Sequence, residues 1–309
     1  MRGIISEKLA PFISQANEAL AQAKAEGMKF SPELIRSNIN KLAPLIGSGP
    51  ELAFVEDRTF ALDDRIISVR VYSPAPEQIL PVVIHYHGGG HMCGSVELYD
   101  PICRKVAVQG QCIVISVEYR LAPENPYPAG IDDCQYVLAH YQQILTNLKY
   151  SDAIYIMGDS AGGAICTTLA MNSQTDESLK IDKQILIYPS VDYHGGHSSL
   201  TENGTGFLLE LDKILWYFQQ YFQGYKNFKL ASPLHGKISS SLPETLIITA
   251  GCDPLRDEGL AYTTAIKNSG VKVQHHHFNN LPHAYMLLDS LVADECQQTY
   301  LMIANFIKK

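Results

Sequence analysis

Short β-branched apolar runs recur along the chain, separated by longer stretches of mixed polarity. The runs fall at 52–60, 66–72, 81–86, 112–119, 153–158, 184–188, 245–250 and 271–278, and most close on Gly, Pro, Asp or Asn. Their length and composition predict eight strands. From the third strand on, each is followed by enough residues for a helix, as at 97–109, 131–148, 160–173, 257–268 and 290–307. This alternation predicts an α/β fold, a mostly parallel sheet with helices on both faces. The first two strands are separated only by Leu62-Asp63-Asp64, which predicts an antiparallel hairpin. Two segments interrupt the pattern: 1–50, which reads as helices, and 192–228, between the sixth and seventh strands. No Pro-, Ser- or Gly-rich linker cuts the chain, so 1–309 reads as one domain, with both segments forming a helical cap over the strand ends.

Composition narrows the function classes. With 309 residues, 46% hydrophobic and 18% charged, the chain can bury a large core and is not a disordered tail. Lys and Arg number 24 against 32 Asp and Glu, a net charge of −8 without any basic run, which argues against a nucleic-acid partner or an anionic membrane surface. Apolar stretches are too short for a spanning helix, and Glu7, Lys8 and Glu18 interrupt the first segment, so neither a membrane anchor nor a signal peptide is expected. The seven cysteines are scattered, with no Cys-x-x-Cys pair, which suggests reduced, mostly buried thiols and a cytoplasmic location.

Ligands of parallel α/β sheets sit at the carboxyl ends of the strands, so the residues just after each strand carry the chemistry. After 153–158 comes Gly158-Asp159-Ser160-Ala161-Gly162-Gly163, a G-x-S-x-G turn running into a small-residue helix. Its glycines let strand and helix approach closely and leave the Ser160 hydroxyl clear of the backbone; a plain serine cap beside a tight turn is the blander alternative. After 81–86 comes His87-Gly88-Gly89-Gly90, whose unobstructed N–H groups suit an oxyanion. No G-x-G-x-x-G or Walker lysine supports phosphate binding there. His85, His87 and His91 lack nearby carboxylate or thiol ligands and no H-E-x-x-H exists, so no metal or other cofactor is expected. The run His275-His276-His277 lies within a strand and reads as structural. Asp253 follows the seventh strand and His283 the eighth, completing the order Ser, acid, His. A serine hydroxyl needs an imidazole to take its proton and a carboxylate to hold that imidazole's tautomer. Asp192, after the sixth strand, is the other candidate acid, but it opens the cap insert, where aspartate often serves as a turn or cap residue. Asp257 and Glu258 fall in the first turn of the next helix, where the dipole accounts for them.

Together with Tyr119-Arg120-Leu121-Ala122-Pro123-Glu124, Tyr127-Pro128-Ala129, Tyr188-Pro189, Asp253-Pro254-Leu255-Arg256-Asp257-Glu258 and Pro282-His283, the glycine loop and the Ser160 turn resemble the hormone-sensitive-lipase-like esterases, the bacterial family IV lipases/esterases, in the branch with a Gly-Asp-Ser-Ala-Gly turn. The resemblance covers roughly 50–309. It implies an α/β-hydrolase fold with a helical cap, a Ser160–His283–Asp253 triad, and an oxyanion hole from the N–H groups of Gly88, Gly89 and Ala161. Glu118 departs from the family pattern, where Asp commonly precedes Tyr-Arg-Leu-Ala-Pro.

The implied reaction is hydrolysis of short- to medium-chain carboxylic esters through an acyl-enzyme, without cofactor. Phe207, Leu208 and Trp216 are the candidate acyl-pocket residues, although the stripe Leu211, Leu215, Phe218 and Phe222 has the spacing that ordinary packing also needs. The same triad serves an acyltransferase or amidase, and the same fold serves a non-catalytic small-molecule receptor, against which retention of all three triad residues argues. Apart from a small ester substrate, partners are not specified by the sequence, and a homodimer is left open.

Overall fold

The computed structural model describes residues 1–309. All eight expected strands form: β1 (Phe54–Ala61), β2 (Ile66–Ser73), β3 (Leu80–Tyr86), β4 (Ile113–Glu118), β5 (Tyr150–Asp159), β6 (Lys183–Ile187), β7 (Glu244–Cys252) and β8 (Val273–Pro282). They make one sheet in the order β1-β2-β4-β3-β5-β6-β7-β8. β1 and β2 are the expected hairpin, pairing from Phe54 opposite Ser73 to Ala61 opposite Ile66, and Leu62 N–H closes the turn on the Arg65 carbonyl at 2.8 Å. β2 also runs antiparallel to β4, and the remaining pairs are parallel.

Successive strand residues face opposite sides, and here both sides are covered. On β3, Val82, Ile84 and Tyr86 join one apolar core while Val83 joins the other; on β5, Ile154 and Ile156 oppose Tyr155 and Met157. The first core is closed by α5 (Ala129–His140), α6 (Ala161–Asn172) and α10 (Arg256–Asn268), the second by α4 (Val96–Gly110) and α11 (Ala293–Lys308). Two-sided burial explains why these strands read as continuous apolar runs. The helix expected over 131–148 ends at His140. There the chain tightens into a 3-10 turn at Tyr141–Ile144, which delivers Tyr141, Ile144, Leu145 and Leu148 to the first core.

The two irregular segments are helical. The first holds α1 (Ala10–Ala25), α2 (Pro32–Asn40) and α3 (Ala43–Ile46); the second holds α7 (Ser198–Glu202), α8 (Leu211–Phe222) and α9 (Phe228–Ala231). α2 begins as its sequence dictates, with Pro32 at the first helical position and Ser31 Oγ accepting the Leu34 N–H. The segments meet through Lys24, which pairs with Glu210 at 3.1 Å and Asp212 at 2.8 Å, and through Phe30, whose ring centre lies 5.7 Å from that of Trp216.

Candidate active site

β5 delivers Ser160 to the sheet's carboxyl edge. The turn into α6 forces Ser160 to φ 52° and ψ −117°, a backbone state costly for any residue with a Cβ. Packing enforces that state. A Cβ on Gly162 would strike the Tyr86 carbonyl and one on Gly158 would strike the Gly162 backbone, so β3, β5 and α6 meet here at glycine distance. Backbone bonds hold the turn on its other side: Ser160 N–H donates to the Ile187 carbonyl and Ser190 N–H to the Ser160 carbonyl, each at 3.0 Å.

His283, just beyond β8, meets Ser160 across 123 residues of chain: its Nε2 lies 2.8 Å from Ser160 Oγ. Its Nδ1 lies 2.8 Å from Asp253 Oδ2. A carboxylate oxygen only accepts, so Nδ1 carries the proton and Nε2 is left to accept from the serine hydroxyl. Asp253 Oδ1 accepts the Leu255 N–H at 2.7 Å, which fixes the carboxylate plane. Asn203, in the cap insert, donates to the carbonyls of Gly251 and Asp253 at 3.0 Å each and so braces the acid loop from above. Asp192 is elsewhere. Its oxygens contact His197 Nε2 at 2.9 Å and His235 Nε2 at 3.2 Å, and it accepts the His194 N–H, so it ties the two roots of the cap insert together and does not touch His283.

The glycine loop corrects one expectation. Gly88 N–H donates to Asp159 Oδ1 at 2.7 Å, and Gly88 does not border the cavity above Ser160. Gly89 and Gly90 do border it, along with Ala161, and the N–H groups of both glycines make no hydrogen bond within the protein. Both have positive φ, 124° and 63°, and a Cβ on Gly90 would lie 2.6 Å from the Tyr217 ring. The free backbone N–H groups on the cavity wall beside Ser160 are thus those of Gly89 and Gly90, with Ala161 on the same wall. A buried side chain next to the nucleophile, invisible in the glycine spacing, decides which N–H groups are free. Asp159 also accepts from Tyr99 OH at 3.0 Å, and burial pushes its carboxyl up to about 6.

The three loop histidines go to structural uses. His85 Nδ1 lies 3.2 Å from Ser116 Oγ, His87 stacks on Tyr119 at 4.4 Å, and His91 stacks on Tyr221 at 3.9 Å while its Nε2 meets Tyr193 OH at 2.7 Å. Burial pushes all three down, to about 3, 4 and 3, and keeps them uncharged. Glu118 accepts the Val96 N–H at 2.7 Å and so supports the start of α4, away from the triad. Glu258 does more than complement a helix dipole: fully buried, it accepts the N–H groups of Val191 and Asp192. In β8, His275 and His277 both contact Thr249 Oγ1, in keeping with a structural role.

A cavity of about 640 Å³ opens over Ser160 and His283. Of the three candidate acyl-pocket residues only Leu208 lines it. Phe207 is buried beneath the Arg2 guanidinium, 4.3 Å from its ring centre, and Trp216 packs behind the cavity wall against Phe30 and the cluster of Ile35, Met92 and Cys93. α8 is rotated relative to the stripe read from its sequence: Ile214, Tyr217 and Phe218 face the cavity while Leu215 is half exposed. α1 contributes Phe12, Ala16, Ala19, Leu20 and Ala23, and α2 contributes Leu34, Ile35, Asn38 and Ile39. That three-and-four spacing was a legible signal that the N-terminal helices face the site.

Residues 83–287 match a family model described as alpha/beta hydrolase fold. The chain is 36% identical over 275 residues to the carboxylesterase NlhH of Mycobacterium tuberculosis, covering 86% of this chain and 82% of that protein. It is 34% identical over 267 residues to esterase LipI of the same organism, covering 82% and 81%. Among solved structures, a hyperthermophilic esterase from the archaeon Pyrobaculum calidifontis superposes with a TM-score of 0.87 at 30% identity, covering 99% of this chain and 98% of that one.

Proposed function

We propose an acyl-enzyme mechanism for this chain, which belongs to the hormone-sensitive-lipase-like family of α/β-hydrolase-fold proteins and is a carboxylic ester hydrolase. The observation that carries the mechanism is the 2.8 Å approach of His283 Nε2 to Ser160 Oγ, with Nδ1 engaged by Asp253 at the same distance. Ser160 Oγ attacks the ester carbonyl carbon as its proton passes to Nε2. The carbonyl oxygen, now negative, accepts from the N–H groups of Gly89, Gly90 and Ala161. Collapse of the tetrahedral intermediate breaks the bond to the alkoxy oxygen, which leaves as alcohol with the proton from Nε2. Water then gives a proton to Nε2 and its oxygen to the acyl carbon, and the acid departs as Ser160 recovers its proton.

The mostly apolar cavity of about 640 Å³ supports short- to medium-chain acyl groups: each buried methylene contributes about 0.8 kcal/mol to binding, and the volume limits how many fit. We assign residues 1–50 and 192–228 as one cap on a single domain, since both supply cavity wall. No helix is long and apolar enough to cross a membrane. The cytoplasmic reading rests on the seven cysteines, all buried and unpaired. The test is Ser160→Ala: the variant should fold, lose nearly all hydrolysis of p-nitrophenyl butyrate, and no longer be labelled by a fluorophosphonate. Near-wild-type turnover by the purified variant overturns the mechanism.

A further inference from the structure

The charged side chains bordering the cavity have partners, with one exception. Asp159 accepts from Gly88 and Tyr99, and His283 is held between Asp253 and Ser160. Glu210 and Asp212 both hold the Lys24 ammonium. Lys213, on α8 between Asp212 and Ile214, lines the same cavity, and its ammonium makes neither an ion pair nor a hydrogen bond; only its backbone N–H is engaged, by Asp212. The side chain is half-buried, and burial lowers its pKa, as expected for a cation drawn out of water. Lys213 thus belongs to the same mostly apolar cavity wall as Gly89, Gly90 and Ser160.

A half-buried ammonium that no carboxylate touches is only partly compensated by the charges near it, and an anion entering the cavity pairs with it directly. Glu210 and Asp212 favour its charged form from a distance, but their direct ion-pair contacts go to Lys24. We propose that Lys213 is an anion-recognition site within the substrate cavity, and that the substrates it selects are esters carrying a carboxylate away from the scissile bond, such as half-esters of dicarboxylic acids. The inference rests on the ester-hydrolase reading of the Ser160 site.

Two substrate pairs test it: monoethyl adipate against ethyl hexanoate for a carboxylate on the acyl half, and 3-carboxypropyl butanoate against butyl butanoate for one on the alcohol half. A charge-assisted contact predicts that Lys213→Met lowers the charged-to-neutral ratio of kcat/KM by about 10- to 100-fold for at least one pair, while Lys213→Arg keeps it within a few-fold. Unchanged ratios for both pairs overturn the proposal. Calorimetric titration of adipate into Ser160→Ala, with and without Lys213→Met, separates this idea from the reading beneath it. Lys213-dependent adipate binding, together with a wild-type protein that hydrolyses no ester, sinks the esterase mechanism and keeps the anion site. Ester turnover with neither ratio nor binding sensitive to Lys213 sinks the anion site alone.

Discussion

Replacing Asp253 by Asn changes one atom of a buried side chain, and the effect reaches Ser160 through the imidazole tautomer. Oδ2 faces the His283 Nδ1 proton and Oδ1 faces the Leu255 N–H, at 2.8 and 2.7 Å. An amide has one acceptor oxygen, so its NH2 must confront one of these two donors. The backbone N–H cannot surrender its proton, whereas an imidazole changes tautomer; the asparagine oxygen therefore keeps Leu255, and its NH2 turns to His283. Nδ1 then becomes the acceptor and the ring proton moves to Nε2, where it meets Ser160 Oγ as a donor. The base is lost although every heavy atom stays in place. A wrong tautomer in such a triad lowers kcat by about 10⁴, equivalent to about 5 kcal/mol in the barrier. Steady-state hydrolysis of p-nitrophenyl butyrate measures this, with KM within a few-fold of wild type and circular dichroism confirming the fold. Asp192→Asn is the control, and its loss should stay below about tenfold because that carboxylate serves His197, His235 and the His194 N–H. Asp253→Asn with more than a tenth of wild-type kcat, or Asp192→Asn with the larger loss, refutes the assignment of the acid.

Two other expected outcomes concern the buried carboxyl beside the nucleophile and the cavity wall. Burial raises the Asp159 carboxyl from 3.8 to about 6, so the folded chain holds this proton more tightly than the unfolded one. Its stabilising contribution is complete below about pH 4 and lost as pH rises through about 6, roughly 3 kcal/mol in all. Asp159→Asn keeps an acceptor for Gly88 N–H and does not titrate, so its urea-unfolding free energy relative to wild type should rise by about that amount from pH 4 to pH 7; a pH-independent difference contradicts this. In the cavity, Leu208→Ala and Phe218→Ala should shift the kcat/KM ratio between butyrate and octanoate esters by about 10-fold, whereas Trp216→Ala, which faces Phe30, should scale both esters alike. A chain-length shift confined to Trp216→Ala refutes the cavity lining described above and restores Trp216 as an acyl-pocket residue.

The features legible in the sequence are those whose physics is local. Apolar runs at strand length, a turn flanked by glycines around Ser160, and an aspartate just past a strand each express a constraint satisfied by near neighbours, so all eight strands, the hairpin and the three residues brought together at the nucleophile were readable. What only the tertiary structure decided depends on contacts between distant residues. Strand periodicity does not say that β4 lies between β2 and β3. The spacing of His87-Gly88-Gly89-Gly90 does not reveal that Asp159, 71 residues further on, occupies the Gly88 N–H and leaves those of Gly89 and Gly90 free. Three-and-four periodicity along α8 identifies an amphipathic helix but not its rotation, which depends on packing against distant residues such as Phe30, in the N-terminal segment, against Trp216. Lys213 reads as an ordinary surface lysine until Lys24 takes the two carboxylates beside it, because ion pairing is settled by which charges meet in space.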